Sequence, residues 1–197
     1  MPTGEYTEDL TLMLNAANSG DRAAVERLWS AIQGELHDMA RRACNAEGIR
    51  TQLQPTMLVN ELFIKMFGAE VAKTVWDDRR HFWGSVGRAL SQFLIDHARH
   101  EGRLRRGGDR MRVPIEVVAG EIEDVSRALS PMSIAAIEAL DRLELESPES
   151  AMVARLRFIS GFSIEETAIL LDIAPRTVSK RWNFARAWLR RAIAEAA

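Results

Sequence analysis

Apolar residues recur at intervals of three and four along almost the whole chain, and no segment sustains an apolar–polar alternation. Such spacing lines up one face of an α-helix and does not match the period of two that a half-buried strand needs. The chain is therefore expected to be all-α. A first helix is predicted over 7–18, with Leu10, Met13, Leu14 and Ala17 on one face and Gly20 ending it. Asp21 is a suitable N-cap for a longer second helix that turns Val25, Leu28, Trp29, Ile32, Leu36, Met39 and Ala43 inward and stops near Gly48. A third opens at Pro55, a residue suited to the first helical position, and ends at Gly68. A fourth runs from about 80 to 106, with Phe82, Val86, Ala89, Leu90, Phe93 and His97 as its apolar stripe.

Punctuation then changes. Gly107-Gly108, Pro114, Gly120 and Ser130-Pro131 read as a connector, which divides the chain into two small helical domains, 1–106 and 133–197, joined by a flexible linker over 107–132. A linker of that size reaches about 80 Å when extended, so the halves need not touch. Beyond it, Ser133 is expected to cap a helix carrying Ile134, Ile137, Leu140 and Leu143, and Ser147-Pro148 to open another.

Charge argues for binding rather than catalysis. The formal net charge is only −2, but its distribution is uneven. Arg99, Arg103, Arg105, Arg106, Arg110 and Arg112 face only Glu101 and Asp109 in their stretch, and no acid interrupts Arg176, Lys180, Arg181, Arg186, Arg190 and Arg191. Between these two patches, 116–149 is strongly acidic. Two cationic patches fit two contacts with phosphate backbones and, taken alone, fit two solvated helix faces equally well; the acidic connector, Glu121, Glu123 and Asp124 included, is expected to mask the basic faces of the free protein. Cys44 is the single cysteine, so neither an internal disulfide nor a thiolate cluster is available. Of the four histidines only His97 and His100 stand one helical turn apart, without a metal-ligand set around them. No phosphate-binding loop, nucleophile elbow or catalytic trio is present, so no enzyme activity, metal or cofactor is expected. No apolar run approaches the roughly 18–20 residues that span a bilayer, and the start of the chain lacks the pattern of a secretory signal. A cytoplasmic protein without membrane insertion is the expectation.

The sharpest signal lies near the C-terminus. Ser163 and Glu166 form a capping box ahead of Thr167, Ala168, Ile169, Leu170 and Leu171; Asp172-Ile173-Ala174 make a tight turn, and Pro175 starts the next helix. Small Ala168 allows a close crossing and Ile173 plugs it, the layout of a DNA-binding helix-turn-helix. Asp172 stands where a left-handed residue, usually glycine, is wanted, and aspartate tolerates that conformation. On the second helix Val178, Trp182, Ala185, Leu189 and Ala192 form one stripe. Arg176, Ser179, Lys180, Asn183 and Arg190 lie opposite, with Arg186 and Arg191 at the margins. Donors that reach base edges, among cations that neutralise phosphates, are what major-groove reading requires.

Three stretches in order resemble one family. FSIEETAILLDIAPRTVSKRWNFAR from Phe162 resembles region 4 of sigma-70-type factors, which reads the minus-35 promoter element. RRHFWGSVGRALSQFLIDHARHEGRLRRGG from Arg79 resembles the region 2 helix that opens and reads the minus-10 element. LQPTMLVNELFIKMFG from Leu53 resembles the stretch that grips the clamp helices of RNA polymerase. Together they resemble a bacterial sigma factor of the extracytoplasmic-function (ECF) subfamily, although Met57 stands where many members carry an acid.

The resemblance implies a protein that binds core RNA polymerase, through its β′ clamp helices and β flap, and promoter DNA, with an anti-sigma factor as a further partner. It assigns Asn60, Glu61, Phe63, Ile64 and Lys65 to polymerase. Trp76, Trp83, Arg88, Ser91, Gln92, Ile95 and Arg99 go to the minus-10 region, with the two tryptophans as base-stacking platforms, Trp83 being equally suited to simple packing, and with Arg88, Ser91, Gln92, Ile95 and Arg99 facing away from the apolar stripe. Arg176, Thr177, Ser179, Lys180, Arg181, Asn183 and Arg186 go to the minus-35 element. The competing reading is a one-component helix-turn-helix regulator that binds duplex DNA without polymerase.

Overall fold

A computed structural model describes residues 4–18, 21–45, 54–68, 75–105 and 131–195. Among them are eight α-helices and no strand: α1 (Gly4–Asn18), α2 (Arg22–Asn45), α3 (Pro55–Phe67), α4 (Arg79–Arg105), α5 (Pro131–Glu146), α6 (Pro148–Ala154), α7 (Ile164–Leu171) and α8 (Pro175–Ala194). A π-helical turn, Arg155–Ile159, follows α6. The all-α expectation holds.

Local chemistry accounts for most of the boundaries. Asp21 accepts from the Ala23 N–H at 2.9 Å ahead of α2, and Pro55, Pro148 and Pro175 each occupy the first turn of a helix. The α5 helix starts at Pro131 rather than at a Ser133 cap, because the proline itself supplies a first helical position, leaving Ser133 inside the first turn. The glycines and acids assigned to the connector between 107 and 130, Glu121, Glu123 and Asp124 among them, lie outside the described residues, as do Gly20 and Gly48.

The first four helices bury Leu14, Leu28, Ile32, Leu36, Met39, Leu58, Leu62, Phe82 and Leu90; the last four, with the π turn, bury Ile137, Leu140, Leu143, Val153, Leu156, Val178 and Leu189. These are not two separate cores. They merge across α4 into one cluster. The expected stripe on α4 is present, but Trp83, Ser91, Leu94 and Ile95 are buried as well. A second face of α4 is covered by the π turn and its neighbours. Trp83 meets Phe162 edge-on at 6.3 Å. At Gly87, a Cβ atom would lie 3.3 Å from the Arg155 Cβ, so the glycine sets how closely the halves approach.

The π turn places Arg155 at that seam. The Ser160 N–H donates to the Arg155 carbonyl at 3.2 Å, and Gly161 at φ 67° then reverses the chain in a conformation that favours glycine. Arg155 is buried and donates to Asp141 at 2.7 Å and to Glu144 at 2.9 Å. Ion pairs rim the apolar centre of the seam. Burying a large apolar side chain contributes about 1.5–3 kcal/mol, whereas an exposed pair contributes about 0.2–1 kcal/mol. Trp83, Leu156 and Phe162 therefore supply most of the cohesion, and the charged rim selects the register.

Candidate nucleic-acid and polymerase interfaces

The helix-turn-helix forms as its residues dictate. The Glu166 N–H donates to the Ser163 hydroxyl at 3.0 Å, and the Ser163 N–H donates to the Glu166 carboxylate at 2.7 Å, closing the capping box. Asp172 adopts the left-handed conformation at φ 53°, while Ala168 is buried and Ile173 packs against the core. Pro175 then opens α8, whose Val178, Trp182, Ala185, Leu189 and Ala192 are all buried.

On the opposite face Arg176, Lys180 and Asn183 are exposed. No carboxylate among the described residues pairs with Arg176 or Lys180. The other four expected minus-35 positions are more constrained. Thr177 is half-buried, and the Ser179 hydroxyl donates back to the Pro175 carbonyl at 3.1 Å. Arg181 is ion-paired with Glu149. The Arg186 guanidinium lies over the Trp182 ring, 5.8 Å from its centroid, and Arg157 approaches the same ring at 5.6 Å. Burial lowers the pKa of Arg157; Glu165 and Glu166 oppose that shift, and Arg186 adds to it.

On α3, Asn60 and Ile64 are exposed and Glu61 is half-buried on one face, and Met57 one turn earlier continues it. Ile64 is 58% and Met57 53% exposed, a large apolar area for a surface helix. Lys65 is half-buried, and Phe63 at the margin packs against Trp29 with ring centroids 4.7 Å apart. From there rings run inward: Phe67, Trp76, Phe82 and Trp83 touch in succession at 5.3–5.4 Å. The half-buried Cys44 thiol ends up on α2, its pKa raised by burial.

Four of the seven minus-10 positions lie inside the protein instead of on its surface. Trp76 and Trp83, expected as stacking platforms, are buried at 4% and 0% exposure. Trp76 belongs to the first core, where Asn18 pins its backbone by accepting from its N–H at 3.1 Å and donating to its carbonyl at 2.8 Å. Trp83 lies under Phe162. Ser91 and Ile95, expected to face away from the apolar stripe, are buried too, the Ser91 hydroxyl donating to the Gly87 carbonyl at 2.7 Å. The reason is tertiary: the C-terminal half covers that side of α4.

Gln92 remains exposed and donates to Asp96 at 3.0 Å. Arg88 is ion-paired with Glu144, and Arg99 donates to Glu138 at 2.8 Å. Sequence reasoning missed Arg42, Arg79 and Arg80, which reach the helix-turn-helix from the first half. Arg79 meets Asp172 at 2.6 Å, Arg80 donates to the Leu171 carbonyl at 3.1 Å, and Arg42 donates to the Gly161 carbonyl at 3.1 Å. The "RRHF" stretch held a slight signal for two of these, since adjacent cations at a helix start oppose the helix dipole and gain from acceptors on another element.

An all-helical chain that ends in a capped helix-turn-helix with a cationic outer face, and exposes a separate apolar patch on α3, has the build of a promoter-recognition factor. The family comparison agrees, and the chain belongs to the ECF sigma factor family, whose model matches residues 7–195. As such it takes part with RNA polymerase in promoter-specific initiation of transcription. It is similar to the "ECF RNA polymerase sigma factor SigM" of Mycobacterium tuberculosis. Identity is 27% over 189 residues for strain Erdman and 28% over 189 residues for strain H37Rv, covering 95% of this chain and 86% of each relative. No solved structure matches. Among the described residues no helix is long and apolar enough to cross a membrane.

Proposed function

We propose that this chain divides the work of a sigma factor between its two halves and its tether. The half over 1–106 docks on the β′ clamp helices of polymerase through Asn60, Glu61, Phe63, Ile64 and Lys65, and captures the separated minus-10 strand along α4. The half over 133–197 contacts the β flap and reads the minus-35 element with Arg176, Thr177, Ser179, Lys180, Arg181, Asn183 and Arg186, and 107–132 lets the two reach their targets. The protein forms and breaks no covalent bond. It works in the cytoplasm, and an anti-sigma factor is the natural partner to restrain it.

The observation that carries this reading is the exposed trio Arg176, Lys180 and Asn183 on the outer face of α8, held there by the capping box and the left-handed Asp172. Arginine, lysine and asparagine side chains supply the donors that bases and phosphates accept. Of the minus-10 residues, Arg88, Gln92 and Arg99 have exposed side chains suited to a strand, and Ser91, Ile95, Trp76 and Trp83 support the helix from within. Transcription in vitro with purified core polymerase, on a library of promoter fragments, is the test. A specific subset of fragments should yield transcripts only when the factor is added. Tight duplex binding by the factor alone, with no response from polymerase, would instead identify a one-component regulator.

A further inference from the structure

One large apolar side chain is exposed on the helix that carries the proposed minus-35 contacts. The Phe184 side chain on α8 is 49% exposed, although the buried stripe of that helix is already filled by Val178, Trp182, Ala185 and Leu189. At about 100° per residue, Phe184 lies about 40° round from Lys180, one turn earlier on the same side of the helix. Asn183 directly precedes it. The ring therefore shares the outer face with Arg176, Lys180 and Asn183, all of them exposed.

That face has one sign of charge. No acid occurs between Pro175 and Ala194, which suits the helix to phosphates. A phenylalanine among these cations has to be matched by something apolar that lies between phosphate backbones. The major groove offers one such group: of the four bases only thymine carries a methyl there, and a phenylalanine side chain is suited to contact it. Hydrogen-bond donors such as Arg176 and Asn183 select guanine and adenine edges, and they cannot sense that methyl.

From this placement we infer that Phe184 is a specificity-determining residue, and that it recognises the 5-methyl group of a thymine in the upstream element. The inference rests on the proposed function, which sends the outer face of α8 into the major groove. It adds a demand on the DNA itself: an A·T pair in a fixed strand orientation, beside the positions met by Lys180 and Asn183.

Deoxyuridine differs from thymidine only by that methyl, so it removes the contact and leaves every hydrogen bond of the pair in place. A promoter fragment that responds to the factor is taken, and each thymine of its minus-35 element, on either strand, is replaced singly by uracil. Holoenzyme assembled from core polymerase and the full chain is titrated on each fragment, using the unaltered protein, Phe184→Ala and Phe184→Leu.

For the unaltered protein one replacement should weaken binding about fourfold, the equivalent of one buried methyl group, and the others less than about twofold. Phe184→Ala should lose the difference between thymine and uracil at that position, and Phe184→Leu, which keeps an apolar tip, should retain part of it. A ring with a merely structural role would weaken binding to all fragments alike and leave the difference intact, which overturns the inference. So does a series in which no replacement matters to the unaltered protein. Reduced affinity of Phe184→Ala for core polymerase, measured without DNA, would assign the ring to a protein contact and overturn it as well. If Phe184→Ala loses its cooperative melt, the unaltered protein and Phe184→Leu decide by the same differences. Should no fragment respond to the factor, the proposed function falls and takes the inference with it. That result is distinct from a responsive fragment indifferent to its methyl groups.

Discussion

Arg79 at the start of α4 reaches across 2.6 Å to Asp172, the residue whose left-handed backbone turns the helix-turn-helix. One aspartate thus sets a local turn and a long-range contact, and the two roles respond oppositely to mutation. Asp172→Gly removes the conformational penalty at φ 53° along with the ion pair, whereas Asp172→Asn removes the charge alone. The Asp172 side chain is 76% exposed and Arg79 only 12%, so the pair is screened from one side and its loss costs about 1 kcal/mol, the upper end for an exposed pair. In urea unfolding, the asparagine variant should therefore fall below the parent, and the glycine variant should match or exceed it. A glycine variant less stable than the parent would mean that the ion pair outweighs the turn.

The capping box predicts an effect of similar size. Ser163→Ala leaves the Glu166 N–H without its acceptor and should lower stability by about 1 kcal/mol, while Ser163→Thr, which keeps the hydroxyl, should cost far less. Thermal melts of the two variants check this. Equal losses would show that the hydroxyl is not what holds the start of α7.

Arg176→Ala and Lys180→Ala should weaken use of the upstream promoter element and leave polymerase affinity intact, because both side chains lie on the outer face of α8. Where the lost contact is to a phosphate, the slope of log affinity against log salt should fall by about 0.9 for each residue. Where it is to a base edge, discrimination at one position should drop by about 1–3 kcal/mol. Titrations of the holoenzyme on promoter fragments at several salt concentrations separate the two cases, and a loss of polymerase affinity would contradict the assignment.

Ile64→Ser should do the reverse. The side chain is exposed, so fold stability should move by no more than about 0.5 kcal/mol. Affinity for core polymerase, measured by surface immobilisation of the enzyme, should drop at least tenfold if this apolar side chain fills a pocket on the clamp. Unchanged affinity would remove α3 from the docking surface.

The helices were largely legible in the sequence because each carries its own signals. Asp21, Pro55, Ser147-Pro148 and the Ser163–Glu166 box act within a few residues of themselves. The outer face of α8 could be read for the same reason, since its buried stripe and its cations follow one period. The buried state of Ser91, Ile95 and Trp83 was not legible. A side chain pointing away from one apolar stripe is solvent-facing only if nothing else packs there, and the second half packs on this side of α4, with Phe162 against Trp83 and Leu156 beside Gly87, more than 60 positions along the chain. Acid–arginine matches such as Glu138 with Arg99 were visible only as opposite charge in neighbouring segments, with no sign of which carboxylate meets which guanidinium.

Trp83 closes the aromatic succession that starts near the exposed edge of α3, and among the described residues its ring neighbour from the second half is Phe162. Parting the halves would wet one flank of this indole and leave Trp76, deeper in the first bundle, dry. The protein thus contains its own optical gauge: one of its five tryptophans turns red-shifted and more quenchable, a change readable without an added dye as each molecule changes posture.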